Sequence, residues 1–107
     1  MRILLDECVP RRLRRGLAGH DVQTGPEMGW SGKGNGELLQ LITAQRFDVV
    51  ITVDQNLRYQ QNLQTVGVAV IVLVAPSNRL ADLLPLIPSV QAALRSISPG
   101  DVVEVTA

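Results

Sequence analysis

The chain has 107 residues, 46% of them hydrophobic, and its ten Lys and Arg balance ten Asp and Glu. That length accommodates one domain with its own core. A net charge of zero excludes a polycation that grips nucleic acid by bulk charge, so any such binding must be local. One cysteine excludes an internal disulfide. The longest apolar run, Val66 to Ala75, is about as long as a strand and short of the roughly 18 to 20 residues that span a bilayer. The opening MRILLDE reads as a charged strand rather than a signal peptide, and with the lone thiol it points to a cytoplasmic protein.

In chain order, Arg2 to Leu5 is a short apolar run that predicts a strand. Pro10 then stands at a first helical position, and Val9, Leu13 and Leu17 recur every four residues, which predicts a helix closed by Gly19. Asp21 to Thr24 gives a second strand candidate, and the segment Gly25 to Gly36, with five Gly and one Pro, reads as the longest loop. Glu37 to Arg46 predicts a helix with Leu38, Leu39, Leu41 and Ile42 on one side. Asp48 to Val53, DVVITV, is a β-branched run typical of a strand covered on both faces. Leu57 to Gln64 predicts a polar helix and Gly67 to Val74 a second fully buried strand. Asn78 to Ser96 predicts an apolar helix interrupted by Pro85 and Pro88, and Asp101 to Thr106 a final strand. Strands alternating with helices in this way predict an α/β fold. The expected form is a three-layer α/β/α sandwich around a mostly parallel sheet of about five strands, with right-handed crossovers and residues 1–107 in one domain.

Open parallel sheets bind ligands beyond the carboxyl ends of their strands. Asp6 and Glu7 follow the first strand and Asp54 follows the third, so folding should carry these acids to one sheet edge. Glu37, opening the second helix after the glycine loop, would place a third carboxylate there. Like charges gathered so closely repel, and oxygen-rich clusters of this kind are neutralised by Mg²⁺ or Mn²⁺. The competing reading of Asp6 and Asp54 is helix capping. Glu7 points away from Asp6 if the strand continues, which makes a salt bridge to a neighbouring Arg an equal alternative to a site role. For Glu37 the alternative is a first-turn glutamate favoured by the helix dipole.

Arg11, Arg12, Arg14 and Arg15 crowd one short helix, where they oppose the macrodipole and stack Arg11 on Arg15 at i,i+4. The arrangement asks for an anionic partner such as phosphate, or else is a solvated face. Arg58, Tyr59, Gln60, Gln61 and Asn62 add a polar patch just past Asp54. Trp30 either stacks on a base or anchors the loop by packing. Lys33 lacks the flanking pattern of a phosphate loop, and Cys8 with His20 lacks both an orienting third group and the ligand count of a zinc site.

The segments ILLDECVPRRLRRGL, the glycine loop running into GELL, and ITVDQNLRYQQN resemble the PIN-like nuclease superfamily, specifically its small stand-alone bacterial members. The resemblance extends over nearly the whole chain, including SNRLADLLPLIP and PGDVVEV. It implies a metal-dependent ribonuclease, often the toxin of a toxin-antitoxin pair, with Asp6, Glu37 and Asp54 at the acidic positions. On that reading these acids hold one or two Mg²⁺ or Mn²⁺ ions, Arg11, Arg12 and Arg58 hold the RNA backbone, and Glu7, Asn56 and Asn78 support the site. The implied partners are RNA and an antitoxin protein, with no membrane. The apolar helix around Leu83, Leu84, Leu86 and Ile87 serves either as core or as a homodimer surface. Asn35 and Asn56 stand where relatives often carry Asp, and Ser77 and Asn78 occupy the place of a fourth acid, which lowers metal affinity. Two alternatives follow. One is a non-catalytic RNA- or protein-binding module that retains the fold. The other is a phosphoacceptor receiver-like domain, which needs a Lys after a later strand where Ala75, Pro76 and Ser77 stand.

Overall fold

A computed structural model of the chain describes residues 1–59 and 67–106, with the side chains of residues 58 and 59 outside the described set. Five strands form one sheet: β1 (Arg2–Leu5), β2 (Asp21–Thr24), β3 (Val49–Thr52), β4 (Ala69–Val74) and β5 (Val102–Thr106). Their order is β2-β1-β3-β4-β5, and every pairing is parallel. All five predicted strands are present, and the α/β class follows from the all-parallel sheet.

Burial explains why these runs read as continuously apolar. Side chains alternate across a strand, and β1, β3 and β4 are covered on both sides whereas the edge strands β2 and β5 are partly exposed. Ile3, Leu5, Val49, Ile51, Ala69, Ile71, Leu73 and Val105 join one cluster, closed by Leu13, Leu17, Leu83, Leu86, Val90 and Leu94. Leu4, Val50, Val70 and Val72 join the other, closed by Trp30, Leu38, Leu39, Ile42, Phe47 and Leu57. The helical elements supplying those covers are a 3-10 helix Arg11–Leu17, α1 (Asn35–Ala44), a 3-10 turn Gln55–Tyr59, α2 (Leu80–Leu83), a 3-10 turn Leu84–Leu86 and α3 (Ile87–Ser96).

Several boundaries differ from expectation, each for a local reason. The helix predicted over Glu37 to Arg46 starts two residues earlier, with Gly34 at its N-cap. It stops early because Arg46 turns left-handed at φ 60°. There the Phe47 N–H donates to the Ile42 carbonyl at 3.1 Å and the Arg46 N–H to the Thr43 carbonyl at 3.0 Å, the paired bonds of a Schellman end. Pro85 and Pro88 divide the predicted apolar helix into α2, the turn and α3, since neither ring nitrogen can donate to the preceding turn. Within that stretch Leu83 and Leu86 are buried core and Leu84 is exposed. The polar helix expected over Leu57 to Gln64 begins as the 3-10 turn Gln55–Tyr59, and residues 60–64 lie outside the described residues. Among the described residues, no helix is long and apolar enough to cross a membrane.

Candidate functional site

The chain leaves β1 for β2 on one side of it, and the later strands extend the sheet on the other, so strand order reverses between β1 and β3. A crevice opens at such a point beyond the strand ends. Leu5 pairs with Ile51 in register, and the Asp6 N–H continues the ladder to the Ile51 carbonyl at 3.0 Å. Asp6 and Thr52 therefore emerge side by side at the carboxyl edge of the reversal point.

Asp6 is 8% exposed, unusually enclosed for a carboxylate. Its Oδ2 accepts the Thr52 hydroxyl at 2.8 Å and its Oδ1 accepts the Glu7 backbone N–H at 2.8 Å. The fully buried Thr52 Oγ1 accepts in turn from the Asp54 backbone N–H at 2.9 Å. One hydroxyl thus ties the end of β1 to the residue that follows β3. The Asp54 carboxylate caps the next turn, with Oδ1 accepting the Asn56 N–H at 2.9 Å, and lies 3.5 Å from the Asn35 amide through Oδ2. The capping reading of Asp54 is realised in this geometry. Cys8 places its thiol 3.6 Å from Asp6 Oδ2. Burial raises its pKa above the ordinary thiol value, and the nearby Asp6 charge adds to the rise.

Among the described residues, the Asp6 and Asp54 carboxylates accept hydrogen bonds and have no cationic partner. The ion pairs among the described residues are Arg2–Asp21, Arg14–Glu27 and Lys33–Glu37, and none includes Asp6 or Asp54. The donor set is hard oxygen with a neutral amide beside it, which suits Mg²⁺ or Mn²⁺. Mg²⁺ commonly takes only one or two protein carboxylates and completes its shell with water and substrate phosphate. Asp6 and Asp54 are the oxygen donors here that could hold such an ion.

The third expected acid is elsewhere. Glu37 is exposed and pairs with Lys33 at 3.4 Å. Among the described residues, no three His, Cys, Asp or Glu side chains meet closely enough to hold a metal. The expected cup of Asp6, Glu37 and Asp54 is not seen as one cluster among the described residues. Because α1 begins at Asn35, Asn35 and Glu37 project about 200° apart around the helix axis, and only Asn35 faces Asp54.

The supporting residues take specific partners. Among the described residues Glu7 forms no salt bridge: both its oxygens accept the Gly32 N–H, at 3.0 and 3.2 Å, tethering the glycine loop to the end of β1. Asn78, arriving after β4, donates to the Cys8 carbonyl at 3.0 Å and braces the turn that follows Asp6. Asn56 contributes its backbone N–H. Arg11 and Arg12 are exposed on the 3-10 helix that leaves this turn, whereas the Arg58 side chain lies outside the described residues. Trp30 is a packing anchor, 9% exposed and edge-on to Phe47 at 6.0 Å. Thr52 and Asn35 were not among the predicted site residues, although Asn35 stands where the resembled family often carries Asp. Thr52 carried a signal: it is the one hydroxyl within DVVITV, two residues before Asp54. No protein-family model matches the chain, and neither a characterised protein nor a solved structure does.

Proposed function

We propose that this protein is a divalent-cation-dependent ribonuclease with the three-layer architecture of the PIN-like nucleases. The observation that carries the reading is that Thr52 ties the Asp6 carboxylate to the Asp54 backbone at the strand-order reversal, while among the described residues neither carboxylate enters an ion pair. Asp6 and Asp54 would hold Mg²⁺ or Mn²⁺. Such an ion neutralises charge on a phosphodiester under attack and makes water more acidic. Thr52 orients Asp6, Asn35 steadies Asp54, and Glu7 with Asn78 fixes the loops on either side of the crevice. RNA cleavage under Mg²⁺ or Mn²⁺ titration tests the reading. Asp6→Asn and Asp54→Asn are each expected to lower cleavage by about 100-fold or more. Full activity in both variants would remove the proposal.

The position of Glu37 favours a second reading, a non-catalytic RNA-binding module, since two acids bind a cation more weakly than three. Its signature is RNA retention in chelator together with no cleavage under either cation. The receiver-like alternative loses support from Lys33, the chain's single lysine, which pairs with Glu37.

A further inference from the structure

A second concavity, of about 370 Å³, is lined by Arg11, Arg12, Arg14 and Arg15. Its wall is the 3-10 helix Arg11–Leu17, in which residues three apart eclipse, so Arg11 stands over Arg14 and Arg12 over Arg15. That scaffold is fixed from behind. Leu13 and Leu17 are 1% exposed. A Cβ on Gly16 would lie 2.9 Å from the Ile87 side chain, and Gln91 donates to the Gly16 carbonyl. Arg14 is held by Glu27 at 2.8 Å. Arg11, Arg12 and Arg15 are exposed and have no acidic partner among the described residues. Converging like charges destabilise the free protein, a cost that an anion in the concavity removes.

The shape and charge select among anions. None of the exposed large apolar side chains, Met1, Leu84 and Val102, lines the cavity, so it lacks the apolar contacts with which a basic surface enters a bilayer. Its volume matches a small-ligand pocket of roughly 300 to 1,000 Å³. A phosphodiester presents one negative charge, whereas a phosphomonoester carries about −1.5 to −2 and three acceptor oxygens. Guanidinium groups bind such oxygens in pairs. Several of them around one concavity therefore favour the monoester.

We infer that the Arg11–Arg12–Arg15 pocket, walled by Arg14, binds the terminal phosphate of an oligoribonucleotide. This rests on the ribonuclease reading, which supplies RNA as the ligand, and adds recognition of its phosphorylated end. The test is fluorescence anisotropy in chelator with one short oligoribonucleotide carrying a 5′-phosphate, a 3′-phosphate or hydroxyl ends. One phosphorylated form is expected to bind about tenfold tighter than the hydroxyl form. The preference should fade as pH drops through about 6, where the monoester dianion takes up a proton and becomes singly charged. It should be lost in Arg11→Ala/Arg12→Ala/Arg15→Ala and weakened in Arg12→Glu alone, with circular dichroism and melting confirming that both fold. Equal binding of phosphorylated and hydroxyl ends would overturn the inference, as would a preference surviving in the triple variant. Tighter capture of a phosphopeptide or of phosphatidylserine vesicles would overturn it too. Asp6→Asn/Asp54→Asn separates the two readings. End preference kept while cleavage disappears supports both, whereas wild-type cleavage without end preference sinks this inference and leaves the nuclease standing.

Discussion

Thr52 does at the scale of one residue what the crevice requires: its hydroxyl donates to Asp6 and accepts from the backbone of Asp54, with no exposure to solvent. Replacing it by Val keeps the shape and deletes both bonds. Thr52→Val is expected to cost about 1 to 3 kcal/mol in denaturant unfolding, the penalty for leaving enclosed polar groups without partners, whereas Thr52→Ser should recover most of it. If the nuclease reading holds, cleavage should fall in the Val variant and return in the Ser variant. Asp6 and Asp54 were legible as strand-end acids in the sequence because an acid directly after an apolar run has one place to go, the strand's end. Glu37 was not. Its direction depends on the helix phase, and a two-residue change in where α1 begins exchanges it for Asn35.

At the scale of the element, α1 ends on a left-handed residue that is not glycine. Arg46 makes the Schellman bonds at a conformational cost of about 1 to 2 kcal/mol that glycine would avoid. Glycine also gives the unfolded chain more freedom. The net expectation for Arg46→Gly is therefore a gain of about 0.5 to 1 kcal/mol, seen as a higher Tm. The arginine segment makes a related point. Its four-residue apolar period suggested an α-helix with Arg11 stacked on Arg15, yet the segment winds as a 3-10 helix and aligns Arg11 with Arg14 and Arg12 with Arg15. Gly16, pressed against Ile87 of α3, belongs to a contact that no local pattern encodes.

At the scale of the molecule, ion pairs and burial set how stability responds to pH. Asp21 has its pKa lowered by hydrogen bonds from Gln23 and Arg2, and Glu27 by the Thr24 backbone N–H, with further help from Thr24 and Arg14 side chains. Both protonate less readily folded than unfolded, so their stabilisation is complete above the ordinary carboxylate range and disappears as pH falls through their lowered values. Cys8 acts in the opposite limb. Burial raises its pKa, so stability declines as pH climbs from the ordinary thiol value through the raised one, because the unfolded chain releases that proton first. Melting temperatures across pH should show both limbs: Asp21→Asn/Glu27→Gln flattens the acidic one and Cys8→Ala the alkaline one.

Strand identity, the α/β class and the acids at the strand tips were determined by the sequence alone, because apolar runs without alternation must be buried on both faces and leave their first polar residue at the edge. Strand order was a tertiary decision: β1, β3 and β4 are each apolar enough to take any interior place in the sheet, and only the covers over their two faces place the reversal between β1 and β3. The same packing chose Asn35 over Glu37 and gathered four arginines around one hollow, since helix phase and winding depend on what lies beneath them.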